Sequence, residues 1–499
     1  MLSTSLDENI RQLEDTFHDC GDLVKRKIPI GQHKDIWIYV AYIDMLINRE
    51  TLESHVLNPL MVFVWETPPK PEDLQTDLLH TLTDCGFTTA DVRESGDPAQ
   101  LYNAILSGDT VFFVDGAASA IIISTRGWPS RGVSATDTEV TVQGAKDAFT
   151  ESLRMNTMLI RRRIKDTKLK VKQLRIGSRT QTDVALMYLE DVVRPAVLEE
   201  TLRRVKSIDI DGILDSGYIA QMIAENKISP FPQAQITERP DKASAAVLEG
   251  RIVITADNSP FVVIVPATLN TFMQAAEDYY QGWQIMSFIR LMRYAAGILS
   301  ACLPGLYIAI AVYHPSMIPA LLIYKMAGAR QSVPFPTTLE ILIMDLAFEL
   351  LREAGLRLPG PLSGAIGIVG GLIVGQAAVE AGLVSPIAVI IVALTGICGF
   401  AIPHFSLVSG LRLSKYFILI CSAVLGLLGF WASVLLVLSH LVSLRSFGFP
   451  YLFPMTAGEV NHYSDWKDTL FRAPLSAMKK RPIFANPAED VRMHEAKKG

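Results

Sequence analysis

The 499-residue chain carries 46 Lys and Arg against 51 Asp and Glu, a net charge of −5. It is 49% apolar and 19% charged, with a mean hydropathy of +0.28. This length exceeds what one hydrophobic core fills, so a single-core globule is excluded and two or three domains are expected; the small net charge decides nothing about nucleic acid.

High hydropathy and high charge coexist because the charges are unevenly placed. Ala295–Tyr324 and Tyr416–Leu444 contain no Asp, Glu, Lys or Arg, and Leu362–Leu411 contains only Glu380. A bilayer core about 30 Å thick needs roughly 20 apolar helical residues, so each run is long enough to cross.

In chain order, the N-terminus (MLSTSLDENIRQLEDTF) lacks the apolar run of a secretory signal, and the first domain is expected in the cytosol. Residues 1–35 read as helix and loop. Ile36–Ile43, Leu60–Trp65 and Val111–Val114 read as strands, with a helix over Pro71–Cys85. Asp115-Gly116-Ala117-Ala118 turns the chain into Ala120–Ser124. A basic stretch follows, Phe149–Leu174 with Arg161-Arg162-Arg163, expected as a connecting helix over 151–175. Its arginines form either a nucleic-acid or headgroup patch or a face paired with acids. Val184–Leu189 then reads as a strand and Val197–Lys206 as a helix. A second hairpin joins Arg251–Thr255 to Phe261–Val265 around Ala256-Asp257-Asn258-Ser259. The two hairpins match in order, which predicts two related α/β subdomains over 1–150 and 176–285. Ser229–Gln233 and Thr237–Asp241 are rich in proline and read as rigid loop.

No phosphate-loop, His-Glu-x-x-His, Cys-x-x-Cys or Gly-x-Ser-x-Gly pattern occurs, so no catalytic, cofactor or metal site is expected. Cys20, Cys85, Cys302, Cys398 and Cys421 read as buried thiols.

The α-helical membrane domain is expected over 290–445, with spans at 295–313, 362–381, 383–402 and 416–440. Arg290 and Arg293 precede the first span. The tail 446–499 carries Lys479-Lys480-Arg481 and Lys497-Lys498. Both ends therefore read as cytoplasmic, which requires an even count, here four. Residues 315–360 read as re-entrant or interfacial, with a capping box at Thr337–Glu340 opening a helix. On that helix Asp345, Glu349 and Glu353 stack at i, i+4 and i+8. An acid at the bilayer centre costs about 2.5–3.5 kcal/mol, so this stripe lies at the interface or lines water. Between 362 and 382, Gly364, Gly367, Gly371 and Gly375 share one face suited to close helix packing. Val369, Ile373, Gln376 and Glu380 share the opposite face, which reads as the lining of a pore, or as Glu380 simply reaching the headgroups.

Arg154–Arg163 (RMNTMLIRRR), Ser229–Gln233 (SPFPQ), Thr237–Asp241 (TERPD), Val333–Pro336, Phe348–Pro359 (FELLREAGLRLP) and Gly367–Pro386 (GIVGGLIVGQAAVEAGLVSP) together resemble the A-subunit family of bacterial spore germinant receptors. The likeness runs from about residue 30 to 475, with Gly144-Ala145 where the family pattern has Gly-Pro. An accessory spore-stage paralogue shares many of these motifs. The resemblance implies a multi-pass protein of the spore inner membrane with its N-terminal domain on the core side. It further implies a permease-like B subunit and a lipoprotein C subunit as partners, and a homo-oligomeric ring forming a germinant-gated channel for monovalent cations. The residues alone leave three functions open: channel, scaffold or regulatory subunit, and secondary transporter. The absence of a membrane repeat ranks transport last.

Overall fold

The computed structural model describes residues 1–30, 36–58, 60, 91–127, 136, 139, 141–356, 375–456 and 463–493. The chain forms two units: one gathers Met1–Glu225, Ala234–Pro266 and Met478–Gly499, the other Asn226–Gln233 and Ala267–Ala477.

The first unit holds two five-stranded antiparallel sheets. Strands β1 (Leu23–Ile30), β2 (Ile36–Ile43), β3 (Val92–Ser95), β4 (Thr110–Val114) and β5 (Ala120–Ile123) lie in the order 1-2-4-5-3. Strands β6 (Leu169–Ile176), β7 (Thr182–Leu189), β8 (Gln235–Thr237), β9 (Ile252–Ala256) and β10 (Val262–Val265) lie in the order 6-7-9-10-8, the same plan repeated. In each sheet a helix opening on proline precedes the central hairpin, α2 (Pro98–Leu106) in the first and α5 (Pro240–Leu248) in the second, while α4 (Pro195–Lys206) follows β7. Proline suits this first helical position, where its missing N–H costs nothing. One apolar core runs through both sheets, with Leu13 and Phe17 of the α1 region (Leu6–Thr16) beside Leu159, Val171 and Met187.

Two expectations need correction here. The basic stretch 151–175 is not one connecting helix. It divides into α3 (Leu153–Arg161), buried along most of its length, and strand β6. The cause is visible in Leu-Lys-Val-Lys-Gln-Leu-Arg-Ile, which alternates with a period of two on either side of Gln173. Thr237–Asp241 is likewise not plain loop, since Thr237 ends β8 and Pro240 begins α5. The strand expected over Leu60–Trp65 and the helix over Pro71–Cys85 lie outside the described residues, apart from Leu60, which is helical.

Arg161 explains much of the arginine run. Its side chain is fully buried, and Nε and Nη2 each donate to the Asp22 carboxylate at 2.9 Å while Nη1 donates to the Leu169 carbonyl at 2.8 Å. Burial alone would favour the neutral guanidine, but the Asp22 charge, its hydrogen bonds and Cys20 together outweigh it and hold the Arg161 pKa above its ordinary value. Arg163 grips Asp147 at 2.6 Å. Next to this pair the backbones of Gly21 and Val171 are joined at 3.0 Å, stitching the first sheet's approach to β6.

His18 lies in the same junction. Its Nδ1 is 2.7 Å from the Asp15 carbonyl and its Nε2 2.8 Å from Glu190, with Lys170 Nζ opposing at 3.3 Å from Nδ1. The Asp15 bond, then the Glu190 bond, raise its pKa. The folded-state pKa exceeds the unfolded value of about 6.5, so the contribution is complete below that pH and fades as pH rises through the raised value. His18→Gln should flatten the dependence of melting temperature on pH across that window. An unchanged pH profile would show that the half-exposed ring is idle.

The tail expected over 446–499 also divides. Residues 446–456 and 463–477 belong to the second unit, and the chain from Met478 onward belongs to the first. There Asn486 N–H donates to Val192 O at 2.7 Å, Arg194 Nε to Ala485 O at 2.9 Å, and Phe484 lies under the Arg251 guanidinium.

The second unit is helical: α6 (Trp283–Ile308), extended by a wider turn at Ala309–Tyr313, α7 (Ala320–Ala329), α8 (Thr337–Leu356), α9 (Pro386–Phe400) and α10 (Phe405–Ser443). Among the described residues, two helices, Trp283–Tyr313 and Phe405–Ser443, are long and apolar enough to cross a membrane. Of the four expected spans, 295–313 and 416–440 fall on these two helices, and 383–402 holds an apolar helix too short by itself to meet that measure. That segment is the 15-residue α9, about 22 Å long against a core of about 30 Å. Ser385 caps its start, Pro386 fixes its first turn, and Pro403 follows its end. Most of the expected span 362–381 lies outside the described residues. Arg290 and Arg293, expected as the positive flank of the first span, are paired with acids. Both grip the fully buried Asp278, at 2.8 and 2.7 Å, and Arg290 also meets Asp468 at 2.6 Å.

Candidate functional site

The acids of α8 are matched by bases on α10. Lys415, 4% exposed, places Nζ 2.8 Å from Oδ1 and 2.7 Å from Oδ2 of Asp345, and 3.3 Å from Glu349. Arg412 donates to Glu349 and to the Ser409 hydroxyl, both at 3.3 Å. Arg352 stands 3.9 Å from Glu349, its guanidinium 5.5 Å from the ring centres of both Phe400 and Phe405. Helical geometry makes this possible: i, i+4 on α8 and i, i+3 on α10 each put both charges on one face. Asp345 is thus buried against Lys415, and Glu349 is shared among three cations. Glu353, one turn further on, is exposed.

Sequence reading missed these partners because Arg412 and Lys415 stand just ahead of the charge-free run that begins at Tyr416 and look like its flank. Two bases one turn apart, in a chain with three stacked acids, were the available signal.

The capping box expected at Thr337–Glu340 is replaced by a longer-range contact. α8 begins at Thr337 itself, and Glu340 is fully buried with Oε1 accepting the N–H of Ser385, the residue that caps α9. Oε2 lies 3.7 Å from Arg330 Nε. A carboxylate at a helix N-terminus meets both an unpaired N–H and the positive end of the helix dipole.

Of the pore-face residues, Gln376 and Glu380 fall on the helical stretch 375–380. Both are exposed, and Gln376 Nε2 donates to Glu380 at 2.9 Å. Gly375 on the same stretch is buried, and a Cβ there would stand 3.3 Å from Val389 of α9. Val369, Ile373, Gly364, Gly367 and Gly371 lie outside the described residues. α10 is broken at Gly426 (φ 61°, ψ −136°), a conformation open to glycine and closed to other residues without strain. The Tyr313 hydroxyl donates to the Ala423 and Val424 carbonyls beside the break, at 2.5 and 3.2 Å. Among the described residues no group of His, Cys, Asp and Glu is arranged to hold a metal ion, and four cysteines are free thiols.

The family model described as Bacillus/Clostridium GerA spore germination protein matches residues 11–484. The chain belongs to the GerA family. Spore germination protein KA of Bacillus subtilis is 38% identical over 99% of this chain and 89% of its own length. The uncharacterized membrane protein YfkQ of the same organism is 37% identical over 96% of this chain and 91% of its own. The crystal structure of the N-terminal domain of the A subunit of the Bacillus megaterium spore germinant receptor GerK3 matches at 30% identity with a TM-score of 0.41. It covers 54% of this chain and 97% of that one. Among the described residues, this GerA-family chain combines an α/β N-terminal region of two antiparallel sheets with a helical part carrying two membrane-capable helices.

Proposed function

We propose that the chain is the A subunit of a nutrient germinant receptor in the spore inner membrane. In this reading it acts beside a permease-like B subunit and a lipoprotein C subunit, and its helical unit, assembled as a ring, conducts monovalent cations when germinant binds. Family membership supports the germination role. The observation that carries the channel is the exposed Gln376–Glu380 pair on a helix whose Gly375 is packed against Val389. An acid and an amide turned away from a tight helix contact are unfavourable against lipid and suit a wet passage.

The experiment is ion flux through liposomes carrying the purified chain, parent against Glu380→Gln. The parent should pass K⁺ in preference to Cl⁻, and the variant should lose much of that preference while assembling normally. No flux from the parent alone or with its partners would leave the scaffold reading, which the mutual neutralisation of Asp345, Glu349, Arg412 and Lys415 favours.

A further inference from the structure

Between α8 and α10 a cleft of about 470 Å³ opens beside the ionic cluster. We propose that it holds one phospholipid with a phosphoethanolamine headgroup, phosphate on the arginines and ammonium on the glutamates. The proposal does not depend on where ions pass.

The charges of the wall are balanced: Arg352 and Arg412 on one hand, Glu349 and Glu353 on the other. Such a wall complements a zwitterion better than an anion or a cation. The cationic half is under-satisfied. Arg412 makes its two polar contacts at 3.3 Å, long for charge-assisted bonds, and its buried Nε has no hydrogen-bond partner. The Arg352 guanidinium carbon stands 5.5 Å from the ring centres of both Phe400 and Phe405, with its nearest acid at 3.9 Å. Guanidinium groups fixed this way present the fork that phosphate oxygens accept.

The rest of the wall is apolar and uncovered. Leu350 and Leu413 remain 65% and 62% exposed on opposite sides of the cleft. Depth along α10 agrees with a lipid. Arg412 lies one turn, about 6 Å, before the charge-free run 416–444, which is the level of headgroups if that run spans the core. A headgroup at the charges leaves its acyl chains along Leu350 and Leu413. The volume falls within the range of built ligand pockets.

The ammonium separates this from general lipid adhesion. Phosphatidylethanolamine donates three N–H bonds to carboxylates, phosphatidylcholine donates none, and phosphatidylglycerol brings no cation.

The test reconstitutes the full chain in nanodiscs of equimolar phosphatidylethanolamine, phosphatidylglycerol and phosphatidylcholine. Lipids that survive extraction into detergent are then counted by native mass spectrometry. The parent should retain one phosphatidylethanolamine. Arg412→Gln should lower its occupancy about tenfold through loss of a charge-assisted contact. Because Arg412 also touches Glu349, Leu413→Trp serves as a second variant that fills the cleft and spares every ion pair. It should abolish retention at unchanged melting temperature. Equal retention of the three lipids, preference for phosphatidylglycerol, or full retention by Leu413→Trp would each overturn the assignment.

Discussion

Lys415→Ala is expected to destabilise the helical unit by about 3–5 kcal/mol, the cost of leaving a buried charge without its partner. Asp345 is 2% exposed and faces Lys415 through both oxygens, so removing the ammonium leaves its carboxylate buried without a counter-charge. Glu349 keeps Arg412 and Arg352, and the damage should centre on Asp345. The melting temperature of the purified chain in detergent is the measurement. A second substitution makes the cause identifiable: Asp345→Leu added to Lys415→Leu removes both charges and should recover most of the loss. If Lys415→Ala melts with the parent, the pair is solvated in reality and the cluster contributes nothing to stability.

The second large effect belongs to the first unit. Arg161→Ala should cost about 3–5 kcal/mol, because Asp22 is left buried without its counter-charge and the Leu169 carbonyl loses one of its donors. The consequence is regional. Amide exchange should accelerate at Gly21 and Val171, whose backbones are joined next to the pair, while the β9–β10 hairpin keeps most of its protection. Arg161→Lys should rescue only in part, since an ammonium cannot make the two parallel bonds to Asp22 and still reach Leu169. Uniform exchange across the whole unit would mean that the two sheets open as one cooperative block.

Local periodicity made the central hairpins and strand β2 legible in the sequence. Ile36–Ile43 is a strand with the expected bounds, and both hairpins lie where Asp115-Gly116 and Asp257-Asn258 turn the chain. Strands β1 and β6 were not legible, because the run Lys25-Arg26-Lys27 in β1 and Lys170, Lys172 and Arg175 in β6 mask the apolar alternation that marks a strand. Only neighbouring strands and the α1 region reveal that Lys170 is buried, its ammonium held by the Thr16 carbonyl. In the helical unit the acids were visible and their counter-charges were not. Asp345 and Lys415 are separated by 70 residues, and no periodicity within one helix reports on a contact made across two. Glu340 misled for the opposite reason. Its spacing from Thr337 satisfies a local rule, while burial spends the carboxylate on the start of a different helix.

The docking of the last residues has a consequence for how the chain would thread a bilayer. The strand-rich unit is built from residues on both sides of the helical segment, with Asn486 bonded to Val192 and Ala485 to Arg194. A folded body of this kind occupies one side of a membrane. In the membrane setting proposed above, the path from Ala267 to Ala477 would then end on the side from which it started and cross an even number of times, whatever the flanking charges say. The same closure forbids an odd-numbered insertion error from leaving a native first unit. A chain inserted with one helix too few would strand Pro482–Asn486 across the bilayer from Val192 and Gly250, with no partner for that edge. In that setting the fold of the first unit would enforce parity, and exposure of the C-terminal segment to protease would report its failure.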